Sequence, residues 1–531
     1  MKTWQDVASL YQIYPRSFRD TNGDGIGDLN GITEKLDYLA WLGVDAIWIS
    51  PFFVSPLTDF GYDIADYRAI DPIFGDLEDF RALLEKAHVL DIKVMIDLVP
   101  CHTSDQHPWF QEARSSRDNP KRGYYVWRDG QNGNGPNNWR SLSGGSSWEL
   151  DEQTGQFYLH SFLKTQPDLN WDNPTVRDEM KNVVRFWFDM GVDGMRVDAI
   201  WGISKDPEFS DDSPNPDFHS DPEAYGAFIH DHCKMGPHFQ EYLHELASVC
   251  DEYDDKQMVF EFYPDERLGD IYQQYHQVLT THPKASAFFM EYRQDEWHAE
   301  HVGQKIENYL RATGSARPFF CVGNHDQPRV ASRLGTERAR ALHFLNLLTP
   351  GVSVMYYGDE IGMTNGELTT EDIQDNFSPA NSAIDSRDLE RTPMQWDDTR
   401  FAGFSEVKPW LPVNKNRTFV NVNSEKSSPM SMLNLHRALL RLRQEFPIIK
   451  NGTLNIVSSA DTGNGFILGI KRELGRERAY IFINFADAPQ SFSIPESGRI
   501  LASTHPQYLL LGKDRQMTIP GYCGVILITE S

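Results

Sequence analysis

The chain has 531 residues, a formal net charge of −27, and 40% hydrophobic and 12% aromatic residues, among them 13 Trp, 21 Tyr and 31 Phe. Apolar residues at this density, spread along the whole length, can bury a large core and exclude a disordered or fibrous chain. A pI near 5.0 leaves no surplus of Lys and Arg to neutralise phosphates or anionic lipid, so nucleic acid and membrane are excluded as partners and a neutral or cationic small molecule is expected. Residues 1–12 hold Lys2 and Asp6 but no apolar run of signal-peptide length. No later stretch approaches the ~18 uninterrupted apolar residues of a membrane-crossing helix. A soluble, cytoplasmic protein follows, as a monomer or homodimer. The five cysteines (Cys101, Cys233, Cys250, Cys321 and Cys523) are odd in number and lie far apart without a C-x-x-C pair. Neither a disulfide framework nor a zinc site is predicted, only reduced, mostly buried thiols.

Short β-branched or aromatic runs recur at residues 10–14, 46–50, 93–99, 194–198, 258–262, 285–290, 318–322 and 352–357. Amphipathic segments such as 32–42 and 77–89 lie between them, and Gly-Val-Asp at 43–45 and 191–193 marks helix exits. Eight strand–helix repeats predict an α/β fold, a closed (β/α)8 TIM barrel. On pattern alone the alternative is an open doubly wound sheet.

Three stretches interrupt the alternation. Residues 103–171 are rich in Gly, Asn, Ser and Trp and too long for an ordinary connection, which predicts an inserted subdomain after strand 3. Irregular stretches follow at 206–222 and 364–412. From residue 454 the helical period gives way to alternating strands at 465–471, 479–484 and 525–529, the pattern of a C-terminal antiparallel β-sandwich domain. The predicted organisation is barrel at 1–102, inserted domain at 103–171, barrel again at 172–453 and β domain at 454–531.

Ionisable side chains collect at the C-terminal ends of the predicted strands: Asp97 and His102, Arg196 and Asp198, Glu261, then Asn324, His325 and Asp326. Barrel strand ends converge in space, and carboxylates brought together there divide into acid and base roles. Each of them alone reads equally well as a salt-bridge or capping residue. Between the first strand and helix, Asp20, Asn22, Asp24 and Asp28 alternate with glycines, as oxygen ligands do in calcium loops. Gly31 stands where an EF-hand carries its bidentate Glu. The competing interpretation is a turn in which Asp and Asn cap their own backbone.

The blocks Asp97-Leu-Val-Pro-Cys-His102, Gln166-Pro-Asp-Leu-Asn170, Gly194-Met-Arg-Val-Asp198, Val259-Phe-Glu261, Asn324-His-Asp326 and residues 351–360 resemble, in order, those of the α-amylase superfamily, glycoside hydrolase family 13. Residues 166–170, with 356–362 and Arg391-Thr-Pro-Met-Gln-Trp396, resemble its oligo-1,6-glucosidase and α-glucosidase branch. The resemblance implies Asp198 as nucleophile, Glu261 as general acid/base with a raised pKa, and Asp326 as transition-state stabiliser. It further implies sugar-binding roles for His102 and His325, and an Arg196 that holds the nucleophile ionised. Asp59-Phe-Gly-Tyr-Asp63 resembles the motif of the first sugar pocket, with Asp59 gripping hydroxyls and Tyr62 as stacking platform. An arginine is expected on Asp59, Arg391 ahead of Arg387. The resemblance also places a structural Ca2+ or Mg2+ on Asp20, Asn22, Asp24, Asp28 and the Ile26 carbonyl; no organic cofactor is expected. Cys101, where relatives carry Asn, puts a second calcium in doubt, Phe260 replaces a usual glycine, and Ala199, in place of Val, points to α-1,4 bonds. The implied activity is a retaining exo-α-glucosidase with transglucosylation. The alternatives are an α-1,6-glucosidase or sucrose isomerase, and, from another class, a non-catalytic amylase-like barrel that binds a partner.

Overall fold

A computed structural model describes residues 2–221, 224–291, 297–377, 386–508, 510–511 and 515–529. The last residue of the predicted stretch 206–222 and positions 378–385 of the stretch 364–412 lie outside the described residues. Eight parallel strands close a barrel: β1 (Ser9–Ile13), β2 (Ala46–Ile49), β3 (Lys93–Leu98), β4 (Gly194–Val197), β5 (Gln257–Phe260), β6 (Ala285–Phe289), β7 (Phe319–Cys321) and β8 (Val352–Tyr356). β1 pairs with β8, which removes the free edges an open sheet would have. Each strand falls on a predicted run, one or two residues shorter at its C-terminal end, where the chain leaves the ladder to form the barrel mouth.

The helices form for local reasons. Leu29–Leu42 starts at Asp28, whose side chain accepts from the Gly31 N–H, and ends at Gly43, at φ 100°. Pro174–Met190 opens with Pro at its first turn and ends at Gly191, at φ 114°. Both Gly-Val-Asp exits are left-handed caps that a side chain would strain. Trp48, Met95, Val259, Phe288, Phe319 and Val354 fill the barrel interior, so the barrel is a packed core with its opening only at the strand ends.

Residues 103–171 hold the helix Pro108–Ser115 and a three-stranded antiparallel sheet, Trp127–Arg128, Gln156–Leu159 and Trp148–Asp151. The C-terminal part has a five-stranded antiparallel sheet and a second, three-stranded one, with Tyr480, Phe482, Phe492, Met517 and Val525 packed between them. The alternating pattern located three of these strands. Thr453–Val457, Gln490–Ser493, Arg499–Ser503 and Gln516–Ile519 are four or five residues each and partly exposed, so their alternation spans at most two periods and does not stand out from the flanking sequence. All five cysteines are buried thiols outside any disulfide. Among the described residues no helix is long and apolar enough to cross a membrane.

Candidate active site

β3, β4 and β5 end side by side, and register fixes what meets there. Asp97 of β3 is the Cα partner of Arg196 on β4, and Arg196 pairs with Val259 of β5, two residues before Glu261. Arg196 is fully buried. Its Nη1 donates to Asp198 Oδ1 at 2.7 Å and also to Asp97, while its Nη2 lies 2.6 Å from Glu261 Oε1. One guanidinium therefore gathers three carboxyl groups. Burial pushes the Asp198 carboxyl well up and Arg196 pulls it back down; Asp97 is raised by burial to about 6 although Arg196 and Trp48 both favour its charge. Glu261 Oε2 accepts from the Ala199 N–H at 3.2 Å and Oε1 from the Tyr263 hydroxyl at 3.1 Å. Ala199 holds that N–H in place with φ 44°, an unusual conformation for a residue other than glycine and one of the kinds of strain found at reacting centres.

Asp326, after β7, faces the same space from the opposite wall. Arg391 Nη2 lies 2.8 Å and Arg387 Nη1 3.3 Å from its Oδ1, and His325 Nε2 lies 3.3 Å from its Oδ2. Burial works against its charge, but the His325 Nε2–H that faces it and the Arg391 and Arg387 guanidiniums outweigh it and hold the carboxyl well below the usual range. His325 is wedged against Tyr62, with ring centroids 5.3 Å apart and planes 4° from parallel, and Gln12 Nε2 lies 2.7 Å from its Nδ1. Since the Gln12 amide donates, the imidazole proton sits on Nε2, and burial keeps the ring neutral.

The expected partner of Asp59 needs correcting. Arg387, not Arg391, binds Asp59, Nη2 to Oδ1 at 2.7 Å. Arg391 turns to Asp326 and to the His325 carbonyl at 2.8 Å, because the short helix Arg387–Leu389 sends the two arginines in different directions. Two residues with no assigned role complete this corner. Asp375 grips Arg387 through Nε at 2.9 Å and Nη2 at 2.7 Å, and Gln166 Nε2 donates to Asp59 Oδ2 at 3.0 Å. Gln166 belongs to one of the sequence blocks quoted above; Asp375 sits in an irregular acidic stretch that gave no signal.

These groups enclose a cavity of about 490 Å3, lined by Asp59, Tyr62, His102, Asp198, Glu261, Asp326 and Arg387. Leu142 and Phe162 of the inserted segment and Trp201, Tyr225, Lys234, Tyr263 and Phe377 form its outer wall. His102 reaches the cavity with Nε2 3.1 Å from the Tyr62 carbonyl. Arg196, His325 and Arg391 stand behind the wall, each at most 1% exposed, where they orient the groups that face inward.

Two places expected to bear on a cation make different contacts. At Cys101, the Lys205 ammonium lies 2.9 Å from the buried Asp168 carboxylate and donates to the Gly202 carbonyl, so a side-chain cation occupies that corner. In the loop at 20–28 the oxygen-only donor set suits a hard cation. Its carboxylates, however, fold the turn on itself: Asp20 accepts from Gly23 N at 2.7 Å and Gly25 N at 2.9 Å, Asp24 from Ile26 N at 2.8 Å, Asn22 from Asp24 N at 2.9 Å, and Asp28 caps the helix. Asp20, Asp24 and Asp28 do not converge within 4.8 Å of one another.

Comparison with known proteins agrees with this geometry. The family model for the α-amylase catalytic domain matches residues 12–452. An oligo-1,6-glucosidase of Parageobacillus thermoglucosidasius is 39% identical, with 93% of this chain and 92% of that protein covered. A probable α-glucosidase of Rhizobium meliloti is also 39% identical, covering 93% and 91%. The crystal structure of the α-glucosyl transfer enzyme XgtA superposes with a TM-score of 0.91 at 35% identity, over 100% of both chains. A barrel whose strand ends bring Asp198, Glu261 and Asp326 to one cavity, matched over most of its length, places this chain in glycoside hydrolase family 13, the α-amylase superfamily.

Proposed function

We propose that the enzyme is a retaining, exo-acting α-glucosidase that releases glucose from maltose, short oligosaccharides or aryl α-glucosides by double displacement. The observation that carries this is the single cavity shared by Asp198, Glu261 and Asp326 and closed at one end by the Asp59–Arg387 pair. An Asp198 oxygen attacks the anomeric carbon while Glu261 delivers its proton to the departing glycosidic oxygen, leaving a glucosyl ester on Asp198. Glu261 then takes a proton from water, or from a sugar hydroxyl, as that oxygen displaces Asp198. Retention needs the two carboxyl groups about 5 to 5.5 Å apart, and sharing Arg196 keeps them close. Asp326, held ionised by its arginines, faces the positive charge that develops on the sugar. The pair at Asp59 blocks the chain from extending past the terminal sugar, which makes the action exo. The small side chain of Ala199 beside the nucleophile favours α-1,4 bonds.

Anomer-resolved NMR on maltose, isomaltose and sucrose tests the reading. Glucose released from a nitrophenyl α-glucoside, whose leaving group brings no anomeric centre of its own, should appear first as the α anomer; β-glucose from that substrate would overturn retention. Faster isomaltose cleavage would reassign the linkage, and isomerised sucrose would reassign the reaction. We propose in addition that the loop 20–28 takes a structural Ca2+ or Mg2+ once its carboxylates turn inward. A melting temperature raised by either ion and lowered by a chelator supports that, and one insensitive to both removes it.

A further inference from the structure

We propose that Asp212, His230 and Cys233 form a Zn2+ site that staples the loop over residues 206–235 against the inserted segment at the rim of the cavity. Asp212 Oδ2, His230 Nδ1 and Cys233 Sγ lie within 4.8 Å of one another. His230 Nδ1 is 3.4 Å from Asp212 Oδ2 and 3.5 Å from Cys233 Sγ. A tetrahedral zinc with bonds of about 2.0–2.1 Å to N and O and about 2.3 Å to S has N···O and N···S edges of roughly 3.4 and 3.5 Å. Both edges from His230 thus stand at the spacing such an ion sets, the third lies within 4.8 Å, and a fourth position is left for water.

The protonation states point the same way. His230 Nε2 lies 2.8 Å from the Tyr225 carbonyl, which only accepts. The neutral ring therefore carries its proton on Nε2 and turns the Nδ1 lone pair toward Asp212 Oδ2. That oxygen is buried and receives no N–H or O–H, the Cys233 thiol carrying the proton beside it, and Asp212 is 1% exposed. One thiol proton cannot serve both acceptors, whereas a cation satisfies carboxylate, imidazole and thiolate together, and Asp−, Cys− and Zn2+ sum to zero charge in a buried place. The outer contacts fit as well. Asp212 Oδ1 is aimed by the N–H groups of His232 at 2.8 Å and Cys233 at 3.2 Å, and the imidazole is backed by a carbonyl, the usual support for a metal-binding histidine. The other mixed group, Cys101, His102 and Asp168, differs in having the Lys205 ammonium on its carboxylate.

The ion would act on the rim. The Asp212 N–H and carbonyl are held by Asn138 of the inserted segment at 2.8 and 2.9 Å. Tyr225 stacks on His230 with centroids 3.7 Å apart, and Lys234 follows Cys233; both line the cavity. Binding displaces the Cys233 proton to solvent, S–H giving S–Zn.

The test uses the full-length enzyme stripped with a chelator and then given one equivalent of Co2+. A near-ultraviolet thiolate-to-cobalt charge-transfer band should appear and be removed by Zn2+, with one zinc per chain by elemental analysis. Cys233→Ser should lose the band, His230→Ala should weaken binding at least about a hundredfold, and Cys101→Ser should keep it. A wild-type protein without the band, a band that survives Cys233→Ser, or one lost in Cys101→Ser overturns the site. The wild-type measurement stands even if a variant fails to fold.

Discussion

Arg387 and Asp59 lie 328 residues apart in the chain and meet at 2.7 Å across the end of the cavity, with Asp375 holding the same guanidinium from behind. The side chains of Asp59 and Asp375 are almost wholly buried. Arg387→Ala would strand both carboxylates. Truncating one member of a buried charge pair costs about 2–5 kcal/mol, so kcat/KM for maltose should fall roughly 30- to 3,000-fold. With the end wall opened, cleavage inside longer maltodextrins should also emerge. Kinetics on maltose and product sizes from maltoheptaose check this, and a loss below about threefold with unchanged products would show that the pair does not close the pocket.

Glu261 is the proposed proton donor, and its removal should depend on the leaving group. Glu261→Gln keeps the acceptors for the Ala199 N–H and Tyr263 hydroxyl in part but has no proton to give. Turnover of maltose should drop by about 100- to 10,000-fold, while a nitrophenyl α-glucoside, whose leaving group needs no proton, should lose far less in the glycosylation step. Equal losses for both substrates would take the acid role away from Glu261.

The barrel and the three carboxylates were legible because their signals are short-range. The strands that carry the site are apolar runs with a polar residue at or just past the end, as in Arg196-Val-Asp198, and closure of the barrel does the rest. The partner of Asp59 was not legible. Arg387 and Arg391 are four residues apart, and which one turns inward depends on a single 3-10 turn and on Asp375, a residue in a stretch without periodicity. The loop 20–28 reads as a ligand set in sequence because alternate oxygens serve an ion and a self-capped turn equally well. The Asp212, His230 and Cys233 group escaped a search by cysteine spacing, since its ligands are of three kinds and one lies 18 residues upstream.

Lys205 and Asp168 form a buried ion pair at 2.9 Å, with Asp168 also accepting from the Ser161 N–H and hydroxyl. Lys205→Met leaves a charge with no counter-ion beside Cys101, and breaking such a pair costs about 3–5 kcal/mol. The variant should unfold at markedly lower denaturant, and Lys205→Met combined with Asp168→Asn should lose less than the sum of the two single changes. Additive losses in the double-mutant cycle would mean that the ammonium and carboxylate are not coupled.

Glu360 should make stability fall as pH rises through neutrality. Its Oε1 accepts from the Tyr11 and Tyr38 hydroxyls, both at 2.8 Å, and Oε2 from the Gly358 N–H at 2.8 Å. Burial nevertheless dominates these donors and lifts the carboxyl from 4.5 to about 7. Below pH 4.5 folded and unfolded chains both hold the proton, and the contribution to stability is complete. Between 4.5 and 7 the unfolded chain releases it while the folded one keeps it. The stability of the fold therefore declines by up to about 1.4 kcal/mol per pH unit from this group and levels off above 7. Denaturant midpoints at pH 5, 6, 7 and 8 measure the slope, and Glu360→Gln, which has no proton to lose, should flatten it between pH 5 and 7. A variant with the wild-type slope would assign the decline to other groups, and a wild-type curve that rises over this range would reverse the sign argued for Glu360.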